Sequence, residues 1–379
     1  MQESFNAVVL FLLVVIGSFV SIELAVSAAI IEISLGVLGG NYLGVFSTEW
    51  LKFIAAFGGI LLTFLAGAEV DLEIMRKYFK GSMLIGGISF IAPFIAAWGY
   101  FYYFGGWSAK GSQIAGIALS TTSLAVVYAV LVETGLTDTK IGKIIMASTF
   151  VTDFGTSAGL SILFAEASMK TLYFFLISLL LIALAPFIFR FVVKRYGSKV
   201  IEPEIKFLFL LMIFIIFLAK WGSSHAILPA FVLGLVLSPQ MSANKELTRR
   251  LRVVSFAFIS PFFFINGGLN VSLKLLYENF WLLVTVFLVK MIPKTICVYP
   301  VARKYVKKEA VFTTLLMSTG LTMGTISSVF GYQAGYISKV QFSVLLAAVV
   351  LSAIIPTYFA QKFFEPKHAL DELKKKGVT

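Results

Sequence analysis

The stretch "MASTFVTDFGTSAGL", residues 146–160, places one carboxylate, Asp153, among hydroxyl groups inside a long apolar run. A carboxylate is a hard oxygen ligand for a small cation and also a site for a proton, and one oxygen site cannot hold both at once. Competition between the two occupants therefore couples their movements. Thr149 lies one helical turn before Asp153 and Thr152 is adjacent, so their hydroxyls are candidates to complete a cation shell.

Four other ionisable residues lie in or beside apolar runs: Glu32, Glu69, Lys290 and Lys294. An ionisable group at the middle of a bilayer costs at least about 2.5–3.5 kcal/mol to insert, so each is a candidate for a functional site. Lys290 and Lys294 are four residues apart and share one helical face. For Asp153 and Glu32, a structural ion pair or an interfacial position remains the alternative interpretation.

The amino-acid composition indicates whether these residues lie in water or in a lipid bilayer. Hydrophobic residues make up 59% of the 379-residue chain, charged residues 13%, and the mean hydropathy is +0.94. These values are typical of an all-α polytopic membrane protein. One cysteine and two histidines are too few for a disulfide framework or a metal cluster, and no phosphate-binding loop or nucleophile elbow occurs. We therefore expect neither an enzyme nor a cofactor.

A membrane-spanning helix needs about 20 apolar residues. The apolar runs predict about thirteen spans, of which the second, eighth and ninth are short enough that another division would change the number by one. The predicted spans are 5–22, 23–38, 50–68, 82–104, 113–132, 142–166, 171–193, 204–219, 225–238, 252–270, 278–302, 310–333 and 339–362.

The loop charges predict an orientation. If the thirteen spans alternate, 23 basic residues fall on one side and six on the other. The positive-inside rule then places the N-terminus outside and the C-terminus in the cytoplasm. We expect the protein in the plasma membrane. The net charge of +12 reflects this topology and attraction to anionic lipid, so we expect no nucleic-acid partner. Residues 363–379 are predicted to form a short cytoplasmic tail.

Two pairs of similar segments predict an inverted repeat. "FLAGAEVDL" (64–72) matches "FINGGLNVSL" (264–273), and "LSTTSLAVV" (119–127) matches "MSTGLTMGT" (317–325). Both pairs are seven spans apart, so the two halves would run in opposite directions, with the seventh span as the linker. Ordinary packing of small residues is the alternative explanation.

The fifth and twelfth spans contain weak helix formers near their centres. Hydroxyls there can satisfy the backbone groups of a broken helix, and two broken helices that cross would offer carbonyls and helix dipoles to a small ion. The candidate residues are Thr121, Thr122 and Ser123 in the fifth span, and Thr319, Gly320 and Thr322 in the twelfth.

Five segments together resemble the monovalent cation:proton antiporter superfamily, in its NapA-like and Kef-like branch, over nearly the whole chain. They are "IIEISLGVLGG" (30–40), "FLAGAEVDLE" (64–73), "ALSTTSLAVV" (118–127), "STFVTDFGTSAG" (148–159) and "FFFINGGLNV" (262–271). The resemblance implies a NapA/NhaA-like fold, a homodimer, and a core domain that moves against a dimerisation domain. We assign the core approximately to 50–166 and 252–362 and the dimerisation domain to 1–49 and 171–250, all within one transmembrane unit, 1–362.

The resemblance also implies roles for individual residues. Asp153 corresponds to the family's ion-binding aspartate and would bind Na⁺, whereas Thr152 occupies a position where the family has Asp, Asn or Gln. Lys294 fits the family's intramembrane cation by its spacing to Ala302 and Arg303, with Lys290 as the alternative coupling lysine. In sodium-selective members, residues that correspond to Glu69 and Thr122 join the ion site, and Ser123 replaces an acid that some members have.

The resulting prediction is an antiporter that exchanges Na⁺ or Li⁺ for H⁺ by alternating access and serves pH homeostasis. Monovalent cations, protons and membrane lipids are its expected partners. A Kef-type K⁺/H⁺ exchanger and a sodium-coupled organic-solute symporter are the alternatives. Cation preference, stoichiometry, pH regulation and the role of Glu32 stay open at this point.

Overall fold

The computed structural model describes residues 2–24, 27–137, 139–165, 168–197, 199–222, 224–364 and 366. Within these residues the regular structure is helical. The helices are α1 Gln2–Leu24, α2 Ala28–Tyr42, α3 Glu49–Ala68, α4 Leu72–Lys77, α5 Phe79–Tyr103, α6 Ala109–Ser120, α7 Leu124–Glu133, α8 Lys140–Leu163, α9 Met169–Tyr196, α10 Pro203–Trp221, α11 Ile227–Ala243, α12 Lys245–Val254, α13 Ser260–Leu269, α14 Leu273–Glu278, α15 Phe280–Val306, α16 Ala310–Met317, α17 Thr322–Gln333 and α18 Lys339–Phe364. A π-helical turn, Ser255–Ile259, joins α12 to α13.

Each of the predicted spans overlaps one of these helices or two consecutive ones. Eight helical stretches in the described part of the chain have the length and hydropathy to cross a membrane, and α2 and α11 are shorter apolar helices. The all-α membrane fold is therefore confirmed, whereas the number of thirteen crossings stays a prediction. Of the predicted tail, 363 and 364 end α18, and 367–379 lie outside the described residues.

The largest difference in boundaries concerns the tenth span. It was predicted to begin at residue 252, but helical structure begins at Lys245. The first helix of this pair, α12, is polar and basic, so hydropathy alone does not detect it. Its start is instead fixed by Asn244, whose side chain accepts a hydrogen bond from the Leu247 N–H at 3.1 Å.

Two spans are broken near their centres, as the sequence predicts. The chain is non-helical at residues 121–123 between α6 and α7, and at residues 318–321 between α16 and α17. The breaks contact each other: the Thr122 hydroxyl donates to the Met317 carbonyl at 2.9 Å, and the Ser123 N–H donates to the Thr319 hydroxyl at 3.4 Å. Discontinuous helices in mutual contact are thus present, whereas their relation by an inverted repeat stays a prediction.

The chain forms two compact units. Unit 1 comprises Met1–Thr48, Glu73–Thr156 and Phe264–Thr379, and it contains both broken helices. Unit 2 comprises Glu49–Leu72 and Ser157–Phe263. The predicted core and dimerisation domains are defined by how they move during transport, whereas these two units are defined by their packing. The division into those domains therefore stays a prediction.

Close approach of backbones organises unit 2. Helices α3 and α11 pack at Gly67 and Gly234, where an added Cβ would overlap the carbonyl oxygens of Phe231 and Phe64. The glycine of "FLAG" (64–67) is therefore explained by helix packing, since any side chain would separate the two helices.

Candidate ion-binding site

The Asp153 side chain lies on α8 and is 2% exposed. Thr149 and Thr152, on the same helix, are fully buried. The Thr149 hydroxyl donates to the Ile145 carbonyl at 3.0 Å, and the Thr152 hydroxyl donates to the Thr149 carbonyl at 2.7 Å. Because these hydroxyl protons are used within the helix, the oxygen lone pairs are what the two threonines can offer to a cation.

The Lys294 ammonium group joins the two helix breaks. Its Nζ donates to the Met317 carbonyl at 2.7 Å and to the Thr121 carbonyl at 2.8 Å. The hydroxyls of Ser89 and Thr122 lie at 3.1 Å from the same nitrogen. The two carbonyls belong to the C-terminal ends of α16 and α6, where helix carbonyls lack intrahelical donors and carry partial negative charge. The Lys294 ammonium therefore supplies hydrogen-bond donors to the carbonyls at the C-terminal ends of both helices.

Lys290 is also completely buried, but its environment is different. Its Nζ lies 3.5 Å from the Thr121 carbonyl, at the limit of a hydrogen bond. It lies against Gly320, where an added Cβ would collide with the nitrogen. The charges of both Lys290 and Asp153 act on the Lys294 ammonium group. The predicted acid and both candidate lysines therefore belong to one electrostatic cluster in unit 1.

The remaining predicted residues of the two breaks are buried or partly buried. Thr121 has an extended backbone, with ψ 154°, and its hydroxyl donates to the Ala118 carbonyl at 3.0 Å. The Gly320 carbonyl accepts from the Ser352 hydroxyl at 3.4 Å. Thr322 is the first residue of α17. Of the predicted residues of the two breaks, Thr121 and Thr122 contact Lys294, and Gly320 lies against Lys290. Thr319 instead contacts Ser123.

Two predicted acids lie elsewhere. Glu69 directly follows α3, in unit 2, and accepts hydrogen bonds from the Arg252 guanidinium at 2.7 and 3.1 Å. Its participation in cation binding stays a prediction. Glu32 is buried on α2, in unit 1.

Sequence reasoning did not identify two groups that bind Lys294. One is Ser89, a fully buried serine in the mostly apolar α5. Its signal was a serine inside a predicted span, which is weak because Ser82 lies in the same span and serine also packs between membrane helices. The other is the backbone carbonyl of Met317, which leaves no signature in a side-chain pattern.

The donor set fits a small monovalent ion. Among the described residues no group of three or more His, Cys, Asp or Glu side chains could hold a metal ion of the usual kind. When ionised, Asp153 supplies one negative charge, and the hydroxyls of Thr149 and Thr152 lie on the same helix. A single carboxylate with neutral oxygens neutralises one positive charge, whether that charge belongs to a proton or an alkali cation.

These features define a class: a multi-span membrane transporter with two broken helices in contact and a buried acid and lysine beside them. The chain belongs to the sodium/hydrogen exchanger family, because the model of that family, "Sodium/hydrogen exchanger, transmembrane", matches residues 8–361.

Individual relatives agree with this assignment. The chain is 27% identical to the "Na(+)/H(+) antiporter" of Enterococcus hirae, over 92% of this chain and 96% of the relative. It is 25% identical to "Probable Na(+)/H(+) antiporter 3" of Methanocaldococcus jannaschii, over 90% of each chain. The fold is similar to that of the sodium proton antiporter MjNhaP1 from the same organism, with a TM-score of 0.73 at 15% identity over 98% of this chain and 99% of that one.

Proposed function

We propose that this protein exchanges Na⁺ or Li⁺ for H⁺ across a membrane, with the two ions competing for Asp153. The observation that carries the proposal is the position of this acid, which is buried in the unit that contains both helix breaks and within the electrostatic reach of Lys294. Membership of the sodium/hydrogen exchanger family and the named antiporters among the relatives support the same ions. No cofactor takes part.

Neutralisation of the acid is the proposed gate. An empty, charged Asp153 resists transfer through apolar surroundings, whereas a proton or an alkali cation removes that charge. Thr149, Thr152, Thr122 and Ser123 are proposed to add oxygen ligands to the bound cation, with Thr121 and Glu69 as further candidates. Alternating access would then carry the loaded site from one side to the other.

The assembly and orientation are also proposals. We expect a homodimer in the plasma membrane, with the N-terminus outside and the C-terminus in the cytoplasm. The 23-to-six distribution of loop cations supports the orientation. No observation favours K⁺/H⁺ exchange of the Kef type or sodium-coupled solute uptake over Na⁺/H⁺ exchange.

The decisive experiment is Na⁺-dependent proton flux in proteoliposomes that carry a pH gradient and a pH-sensitive dye. Na⁺, Li⁺ and K⁺ are offered separately. The Asp153→Asn variant should insert and purify normally but show no cation-dependent flux. Asp71→Asn is the matched control, because it makes the same chemical change at an exposed position outside the spans and should retain exchange. Persisting exchange in Asp153→Asn would remove this acid from the mechanism.

A further inference from the structure

A basic pocket of about 440 Å³ lies in unit 1, away from the ion site. Its cations are Arg76 and Lys77 at the end of α4, Lys80 in the first turn of α5, and Lys140 at the start of α8. Its volume falls in the range of small-molecule sites. None of the four cations pairs with a carboxylate anywhere in the described part of the chain, so their charges are available to an anion.

The backbone adds to this positive field. Helix α5 begins at Phe79, and no side chain caps its N-terminus. The N–H groups of its first turn therefore lack intrahelical acceptors at the point where Lys80 lines the pocket. A phosphate group suits such a combination of basic side chains and free backbone donors.

An apolar stripe leads away from the pocket along α5. Phe79, Met83, Ile91 and Ile95, at successive multiples of four, have exposed fractions of 56%, 40%, 52% and 59%. Gly87 completes the series, and an added Cβ there would meet no atom within 4 Å. Residues four apart are neighbours on a helix surface, so these exposed side chains form a ridge that winds along α5. A phosphate-bearing ligand with long apolar chains fits both features, whereas a free phosphate ion uses only the first.

We propose that this pocket binds the headgroup of an anionic phospholipid whose acyl chains lie along the α5 stripe. Helices α5 and α15 are long and apolar enough to cross a membrane, and the pocket lies at the N-terminal end of α5 and, through Tyr305, at the C-terminal end of α15. The ends of membrane-spanning helices lie near lipid headgroups. The predicted topology places these ends in the cytoplasmic leaflet, where anionic lipids attract basic residues. This inference does not depend on which ions the protein transports.

Three of the four helices that line the pocket also carry residues of the ion site. Helix α5 carries Ser89, α8 carries Asp153, and α15 carries Lys294. At about 1.5 Å per residue, these residues lie about 12–20 Å along their helices from residues that line the pocket. A lipid headgroup bound in the pocket would therefore contact, and stabilise, the three helices that position Asp153, Lys294 and Ser89.

The test measures the thermal stability of the purified full-length protein in detergent with added phosphatidylglycerol, phosphatidylcholine or inorganic phosphate. We expect phosphatidylglycerol to raise the melting temperature more than the other two additions. The triple variant Arg76→Gln, Lys80→Gln, Lys140→Gln should lose this specific rise. Native mass spectrometry should show an apparent affinity for phosphatidylglycerol weakened by about 100-fold, because each of the three removed cations contributes about 1 kcal/mol.

A matched variant controls for net charge. Lys194→Gln, Arg195→Gln, Lys199→Gln removes the same charge from exposed positions outside the pocket and should keep the lipid response. The proposal is overturned if both triple variants respond alike, if wild type shows no preference for phosphatidylglycerol, or if inorganic phosphate stabilises as well as the lipid does. If the pocket triple variant does not purify as a folded protein, Lys80→Gln alone should still weaken binding several-fold, and unchanged binding would overturn the proposal.

Discussion

The two buried lysines differ in how the protein solvates them. Lys294 has four oxygen atoms within 3.1 Å of its nitrogen, which is enough to satisfy all three ammonium protons. Lys290 has the Thr121 carbonyl at 3.5 Å. A buried charge without such partners is costly, whereas a fully hydrogen-bonded one is tolerated. The geometry therefore supports Lys294, rather than Lys290, as the charged residue that joins the two helix breaks.

This difference predicts unequal effects of one substitution at two positions. Lys294→Met removes the ammonium donor that the Thr121 and Met317 carbonyls share, although the Met317 carbonyl keeps the Thr122 hydroxyl at 2.9 Å and the Ser89 hydroxyl at 3.2 Å. We expect the substitution to lower the free energy of unfolding by about 1–3 kcal/mol. Lys290→Met removes a poorly solvated amine, and we expect a change within about 1 kcal/mol, of either sign. Melting temperatures of the two purified variants provide the measurement. Equal losses would show that Lys290 supports the helix breaks as much as Lys294 does.

At the scale of elements, hydropathy and polar patterns predicted most of what the structure shows. Apolar runs located the long helices, because bilayer thickness sets their length. Runs such as "STTS" (120–123) located the breaks, since hydroxyls can replace backbone partners there. The basic helix α12 was missed because it is not apolar, and the Met317 carbonyl because a backbone acceptor has no residue type. The basic pocket was missed because it joins positions far apart in sequence.

Gly320, in the break between α16 and α17, leaves space that the Lys290 side chain fills. An added Cβ would collide with the Lys290 Nζ and would come within 3.0 Å of the Thr121 hydroxyl oxygen. We expect Gly320→Ala to destabilise the protein by about 1–3 kcal/mol and to lower the rate of exchange. The control is Gly87→Ala on α5, where a methyl group meets open space and should be neutral or stabilising by up to about 1 kcal/mol.

A second substitution, at Lys290, tests whether the clash with this lysine causes the expected destabilisation of Gly320→Ala. Because Lys290 supplies the closest clash, the double variant Gly320→Ala, Lys290→Ala should recover part of the lost melting temperature. Strictly additive losses would mean that the two positions act independently, and that the glycine is required for another reason.

At the scale of the whole molecule, competition for one acid predicts how pH changes the apparent affinity for Na⁺. Each bound cation must displace a proton when Asp153 is protonated, so the apparent KM for Na⁺ should rise about tenfold per pH unit on the acid side of its titration. On the alkaline side the KM should become constant. Initial rates of exchange in proteoliposomes, measured over Na⁺ concentration at several pH values, test this. A KM independent of pH, with only the maximal rate changing, would contradict a shared site.

The number of charges moved per cycle follows from what Lys294 does. Its ammonium donates hydrogen bonds to carbonyls of both helix breaks, and the prediction takes its proton to be retained through the cycle. Thr152 provides no second acid beside Asp153. One acid then exchanges one proton for one cation, so we predict electroneutral exchange. Na⁺-driven proton flux should be the same with and without a potential imposed by K⁺ and valinomycin, against protein-free liposomes as the background. If a lysine also releases a proton, two protons exchange for one Na⁺, so an inside-negative potential should speed proton entry and slow proton exit. If the flux responds to the potential, the variants Lys294→Ala and Lys290→Met identify the lysine that releases the proton. The variant that loses the voltage response carries the substitution at that lysine.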